Sequence, residues 1–494
     1  MHIFFVCVRQ QMYLCSRFFK VLLKQDMKTK AILAGILLAA TATTAQAGGI
    51  LTNTNQSIDF LRNPARDAVI DIDGVYTNPA GVCFMPNGFH LGLSFQHPEQ
   101  KRIVTTSSFM KINGVDNKIP LLALNQNYLG EATREYTGTA SAPVVPSFQL
   151  AYVMDKLTLS ASMAVTGGGG KCTFDNGTGS LETLCALELY QKVNVLGIGA
   201  AYKGYSFDAY MRGRQFYYGF QVGAGYKVND NLAVFGGLRT MIGSAKYTGY
   251  IRDIKIYTSV PGMEVIPASA ADEIDMTTKQ SCVGFTPVIG VDYRINDKWN
   301  IAAKYEFRTK MSLENSSEMT EKARNTSALD KFNDEKTKYV RDDIPGTFTC
   351  GVQYSPIETV RLNAGYHFYD DCNAVKYGDE HKKIDGGTRE ILFGAEWDAT
   401  KLLTVSAGWQ NTHYDLSDGY MSDLNHNISS NMIVCGVRLH VTEKISVDLG
   451  YMHNFYDKRT VDSVTPVSQI ATIEKTDVYE RRNDAFAVGV NFDF

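Results

Sequence analysis

From Phe89 to the final Phe494 the chain alternates apolar and polar residues with a period of two. In the first such stretch Phe89, Leu91, Leu93 and Phe95 fall on one side and His90, Gly92, Ser94 and Gln96 on the other, the pattern of a strand with one apolar face. The pattern then returns in pairs joined by very short turns. Phe148–Tyr152 turns at Asp155-Lys156 into Leu157–Val165, and Phe216–Tyr226 turns at Asn229-Asp230-Asn231 into Leu232–Leu238. Val283–Tyr293 turns at Asn296-Asp297-Lys298 into Trp299–Phe307, and Phe348–Tyr354 turns at Ser355–Glu358 into Val360–Phe368. Ile391–Trp397 and Ile433–Leu439 turn at Thr400-Lys401 and Thr442–Lys444, and Phe486–Phe494 closes the chain. One opening strand, six hairpins and one closing strand make an even set of about fourteen, each about nine to twelve residues long, the length of a tilted membrane-crossing strand.

Charged residues within these strands keep to one parity: Arg239, Asp292, Arg294, Lys304, Glu306, Arg308, Arg361, Glu396, Asp398, Arg438 and Asp448. The opposite parity is apolar, with aromatics toward the strand ends, as a lipid-facing band requires. The turns inside hairpins are tiny, whereas the connections 97–146, 166–214 and 244–281 are long and polar. The pattern predicts an all-β fold, a 14-stranded antiparallel transmembrane β-barrel with short turns on one rim and long loops on the other. A soluble sandwich or propeller shares the alternation, but its outward face should not be this aromatic.

At the N-terminus the pattern is different. The longest strongly apolar run, Ala31–Ala40, is too short to cross a membrane as a helix. Met27-Lys28-Thr29-Lys30, the apolar run and Ala45-Gln46-Ala47 read instead as a secretory signal over 27–47, with 1–26 an over-extended gene start. Removing 1–47 leaves 43 basic against 51 acidic residues, so no nucleic-acid footprint is expected. Seven cysteines remain, without a disulfide framework or a zinc spacing. Cys172 and Cys185 form the one locally spaced pair, as readily free as bridged. Residues 48–87 carry no sustained period and are too few to fold alone, so they must lean on the barrel, 88–494.

No catalytic, cofactor or metal motif stands out. His90, His367 and His440 share the inward parity, and Asp415, Ser417, Asp418 and Asp423 make an acidic loop whose spacing departs from a calcium loop; lumen hydrogen bonding and a solvated loop are the simpler readings. Within 48–87, acidic residues at Asp67, Asp71 and Asp73 precede Asn78-Pro79-Ala80-Gly81, locally an ordinary turn signal. A signal segment, this acidic stretch, Asn-Pro-Ala shortly before the first strand, and fourteen strands ending in Phe resemble the FadL family of outer-membrane transporters for long-chain fatty acids and other hydrophobic molecules. The resemblance implies an N-terminal hatch in the lumen with Asn78, Pro79 and Ala80 as its gating motif, although Asn63-Pro64-Ala65 repeats the motif. It also implies passive uptake, with capture by the loops, hatch rearrangement and exit through the wall. Outer-membrane lipids and the barrel-assembly machinery would be the chain's other partners. A general porin or a surface adhesin is the alternative.

Further expectations attach to that reading. Leu181, Leu184 and Leu189 repeat at helical spacing behind Ser180 as N-cap, offering an apolar groove in the second long loop or simple packing within it. Gly167–Gly170 follow the third strand, where a break in pairing would open the wall; an ordinary loop is the competing reading. Arg239, Lys304 and Arg361 are candidate contacts for a ligand carboxylate, or else lumen ion pairs with Glu306, Asp292 or Glu396.

Overall fold

The computed structural model describes residues 57–112, 114, 116, 118–123, 132–195, 201–267, 273–423, 426–468 and 471–494. The expected signal segment, the expected gene-start extension and residues 48–56 lie outside this set. Fourteen antiparallel strands form a wall that closes on itself. They begin with β1 (Gly88–Ile112), β2 (Val145–Met154, continued outward at Thr133–Ser141), β3 (Leu157–Phe174) and β4 (Tyr202–Lys227). β5 (Leu232–Thr258), β6 (Ile274–Asn296), β7 (Trp299–Glu306), β8 (Thr347–Ile357) and β9 (Val360–Tyr369) follow. β10 (Thr388–Thr400), β11 (Leu403–His413), β12 (Ser430–Thr442), β13 (Ile445–Tyr456) and β14 (Ala471–Asp493) complete the wall. Each strand pairs with the next, and β14 pairs with β1 from His90↔Asp493 to Ile112↔Ala471.

The short turns are held by side chains that the sequence supplies for the purpose. Asn229 Oδ1 accepts from the N–H groups of Asn231 and Leu232 at 2.9 and 2.8 Å, and Asn296 Oδ1 accepts from Lys298 and Trp299 at 2.9 and 3.0 Å. Thr400 and Thr442 do the same for Leu402 and Lys444, each at 3.1 Å. Such local bonds replace a backbone turn bond and fix the register of the hairpin.

Parity follows the sequence reading. Arg239, Asp292, Lys304, Glu306, Glu396 and Asp448 are buried inside the barrel. On the outer face, Val283, Phe285 and Ile289 of β6 are 58, 57 and 50% exposed. Burying one such side chain is worth about 1.5–3 kcal/mol, so a continuous belt of them belongs in lipid and not in water. Near the short-turn rim the belt carries Tyr226, Tyr293, Trp299 and Trp397, with Trp299 stacked on Tyr354 at 4.2 Å. Arg308 departs from the expectation: it lies past the end of β7, exposed, and donates to the Asn373 carbonyl at 2.6 Å.

The strands are longer than the alternation predicts. β5 runs for 27 residues, and stretches expected as loops within 97–146, 166–214 and 244–281 are largely strand. Beyond the apolar belt both faces of the extended wall turn polar, as with Glu99 and Lys101 outside and Gln100 and Arg102 inside. Without an apolar face there is no period-two signal to read. Above the belt, α2 (Gly179–Val195) covers the long-loop end. It begins one residue before Ser180, which is therefore not its cap; the Ser180 N–H donates instead to Asp423 Oδ2 at 2.8 Å.

Candidate transport site

The segment preceding β1 lies in the lumen, because inward-facing residues from most of the wall contact it. Its short helix α1 (Ile58–Arg62) packs Ile58, Phe60 and Leu61 on Met432, Val434, Met452, Ala485 and Ala487 of β12–β14. The chain then crosses the lumen through two 3₁₀ turns, Ile72–Val75 and Gly81–Phe84. Asp71 caps the first, accepting from the Ile72 N–H at 2.8 Å.

Charge fastens the segment. Arg66, fully buried, bonds Asp73 at 2.7 Å, Asp71 at 3.1 Å and Glu396 of β10 at 2.9 Å. Arg438 of β12 reaches Asp59 at 2.6 Å, Asp71 at 2.8 Å and Asp448 of β13 at 2.8 Å. His367 of β9 meets Asp67 at 3.0 Å and Glu390 at 2.8 Å. Buried charges cost several kcal/mol each to desolvate, so a network of this kind holds only while every member keeps its partners. Backbone groups are held too: Gln221, Asn300 and Lys304 donate to the carbonyls of Val75, Ala68 and Tyr76 at 2.7, 2.8 and 2.8 Å.

Both Asn-Pro-Ala copies are seated on the wall, at different places. Asn78 Nδ2 donates to Asp292 of β6 at 2.6 Å while its Oδ1 accepts from the Gly81 N–H at 3.1 Å. Ala80 is fully buried with Cys83, Ala233, Phe235 and Val288. Asn63 and Pro64 press on Gly394 of β10 and Gly408 of β11, where any Cβ would collide with them. Asn78-Pro79-Ala80 and Asn63-Pro64-Ala65 are thus two separate docking points of one segment.

The candidate carboxylate contacts are all engaged in the wall. Arg239 forms a fork with Glu306 at 2.6 and 3.0 Å and lies 4.6 Å from the Tyr76 ring centroid. Lys304 bonds Glu306 at 2.7 Å and sits 4.3 Å from the same ring. Arg361 forks with Asp398, both bonds at 2.7 Å, and reaches Glu396 at 3.2 Å. Tyr76, clasped by two cations, was not legible in advance, since no local motif distinguishes it. Leu189 is buried and Leu181 half-buried in an apolar cluster with Met110, Tyr205 and Ile254, so these members of the predicted groove pack into the long-loop end; Leu184 sits on the same helix. His90 and His440 bond Asp493 and Thr404. Asp418 pairs with Arg459 at 2.8 Å, and no group of three metal-ligating side chains occurs among the described residues. Cys172 and Cys185 share no disulfide.

Two features adjoin this segment. At the short-turn rim a cavity of about 1110 Å³ lies beneath it, lined by Arg62, Asp71, Arg361, Glu396, Asp398 and Arg438 among others. The second is in the wall. β2 and β3 pair from Met154↔Leu157 to Phe148↔Met163, and the next pairs across this seam are Thr139↔Thr173 and Gly138↔Phe174. Between them β3 slips twice against β4, at Val165/Gly167 and Gly167/Gly170, and β2 is interrupted between Ser141 and Val145. Gly168 and Gly170 have φ of 114° and 68°, the region glycine adopts without steric cost. Gly167–Gly170 are therefore a bulged part of a strand and not a loop.

No family model matches the chain, and a search of curated proteins finds no match. Solved structures do match. A FadL homologue from Pseudomonas aeruginosa superposes with a TM-score of 0.63 at 14% identity, over 90% of this chain and 100% of its own. This chain has the FadL-type fold. The toluene transporter TodX of P. putida matches with a TM-score of 0.52 at 12% identity, over 91% of this chain and 99% of that one. At these identities the likeness carries the FadL-type architecture, and the side-chain arrangements described above belong to this chain.

Proposed function

We propose that the protein is an outer-membrane transporter for passive uptake of hydrophobic small molecules, with long-chain fatty acids as the first ligands to test. Ligand gathers in the apolar clusters at the extracellular end, the N-terminal segment acts as a hatch, and exit is lateral, between β2 and β3. The observation that carries this reading is the break in the β2–β3 ladder, whose pairs among the described residues stop at Phe148↔Met163 and resume at Thr139↔Thr173. An apolar molecule gains nothing from the charged cavity beneath the hatch, whereas a gap at the level of the wall leads into lipid. The FadL homologue and the toluene transporter with which the chain shares its fold support the same reading.

Pro79→Ala removes the fixed φ from the gating turn without adding bulk. Uptake of radiolabelled oleate by cells carrying this variant should fall several-fold against wild type at matched surface levels. Equal uptake would remove the gating role from Asn78-Pro79-Ala80.

A further inference from the structure

Just beyond the lipid belt the outer wall carries a transverse row of cations. Lys171 of β3 is the register partner of Arg214 of β4, Arg214 that of Lys246 of β5, and Lys246 that of Lys279 of β6. All four point away from the lumen. Lys171 alternates with the inward Cys172, Arg214 shares the parity of the exposed Phe220 and Val222, Lys246 that of Leu238 and Ile242, and Lys279 that of Val283 and Phe285. Adjacent strands lie about 4.8 Å apart, so the row is about 14 Å long. Like charges directly opposed across a sheet destabilise it, and here they meet at each seam from β3 to β6.

The wall does little to offset this charge. None of the four makes an ion pair among the described residues, and the Arg214 Nε is buried without a hydrogen-bond partner there. Glu314 and Glu318 flank Ser316, the residue opposite Lys279, so they stand diagonally from it, and Glu314 lies 3.7 Å from Lys338. Past Lys171 the signs mix, Lys101 and Arg482 meeting Glu99 and Asp484 around a cavity of about 350 Å³. Ser244 and Ser281, opposed to each other one step toward the belt from Lys246 and Lys279, add two hydroxyls. A cavity of about 440 Å³ on this surface is lined by Arg214, Lys246, Lys279 and both serines.

Height decides what meets the row. On β6 the belt runs from Tyr293, near the short turns, to Val283. At about 3.4 Å per residue and a tilt of about 40° that stretch rises about 26 Å, the height of a barrel's apolar band. Lys279 is the second outward residue beyond Val283, and Lys246 stands in the same relation to Ile242. Farther out on β4 and β5, Tyr210 and Tyr250 stack at 5.5 Å. The row therefore lies at head-group depth in the leaflet on the long-loop, extracellular side.

We propose that Lys171, Arg214, Lys246 and Lys279 form a docking site for the phosphates of an outer-leaflet lipid, one whose head group carries two phosphates and whose acyl chains lie on the belt below. Arginine meets phosphate through its planar fork and lysine as a point charge, and a row of about 14 Å has room for both phosphates. A zwitterionic head group brings its own cation and would leave the row uncompensated.

The test uses the purified full chain in detergent micelles, with bisphosphorylated lipid A, phosphatidylcholine or inorganic phosphate added. Native mass spectrometry reads bound lipid, and thermal unfolding reads stabilisation. Wild type should bind lipid A about tenfold tighter than phosphatidylcholine and be stabilised by it. Lys246→Gln/Lys279→Gln should lose most of that preference, yet unfold at a higher temperature than wild type when no lipid is added, because opposed cations are gone. Should the double variant fail to fold, Lys246→Gln alone should show a partial loss. Lys255→Gln, farther out on β5, removes the same charge elsewhere and should bind as wild type does. Equal affinity of wild type for the two lipids, an undiminished preference in the row variants, or an equal loss in Lys255→Gln would overturn the site. Stabilisation by inorganic phosphate as large as that by lipid A would overturn its assignment to a lipid. None of these readouts depends on the uptake reading.

Discussion

Asn78 is the residue on which the second docking point turns. Its amide holds one oxygen of Asp292, which also receives Asn300 Nδ2 at 2.9 Å, while Asp292 Oδ1 has no partner among the described residues. Asn78→Asp keeps the shape and sets a carboxylate against a carboxylate. The pair should separate, freeing the N-terminal segment at this point, and, if the segment gates the lumen as proposed, the variant should show raised uptake and raised conductance in planar bilayers. Arg239 makes a contrasting case. Its fork to Glu306 is buried, so Arg239→Leu leaves Glu306 with Lys304 alone and should cost about 3–5 kcal/mol of stability, read as a lower temperature for loss of the compact form on gels. Oleate affinity in the surviving folded fraction should not change, since Arg239 is occupied by Glu306.

At the scale of elements, β3 behaves unlike its neighbours. A regular strand needs a side chain at every position to pack and to restrict the unfolded chain; four successive glycines surrender both. At Gly168 a side chain would also strike the Gln215 carbonyl of β4. Replacing Gly167–Gly170 with alternating Thr and Val should drive β3 toward straight pairing with β2, closing the gap, and uptake should drop to the level of cells without the protein. Undiminished uptake would show that ligand leaves elsewhere. The inner segment offers a similar test at its first docking point: Gly408→Val would meet the Pro64 ring and should dislodge Asn63-Pro64, exposing residues 57–87 to added protease.

For the whole molecule, the barrel and the segment inside it are separable in principle, since the wall pairs with itself around its full circumference. Deleting residues 57–87 should leave a folded, heat-modifiable barrel with a high, steady conductance, and a barrel that fails to form would show that the segment is part of the core. Much of this architecture was legible in the chain, because the lipid belt writes period two into β5 or β12 and forces charges such as Asp292 and Asp448 to the other parity. The outer extensions were not legible, since Lys101 outside and Arg102 inside look alike to any hydropathy pattern. Nor was the row from Lys171 to Lys279, which only the register assembles, or the pairing of Arg102 with Arg481, where the first strand meets the last. The glycine run at 167–170 was visible but ambiguous: what makes it a break in the ladder is the interruption of β2 between Ser141 and Val145 opposite it.

That meeting of first and last strands, from His90↔Asp493 to Ile112↔Ala471, also dictates an order of events. It is the contact of greatest sequence separation in the wall, so its loop-closure entropy is the largest and it is expected to zip up late. The segment preceding β1 is made before any strand, yet it ends inside a cylinder whose seam closes after the final residue. It must already be tucked into the half-formed sheet when the seam shuts, or be locked out, so a chain whose N-terminal segment docks slowly would yield two populations of barrel, filled and empty, that do not interconvert.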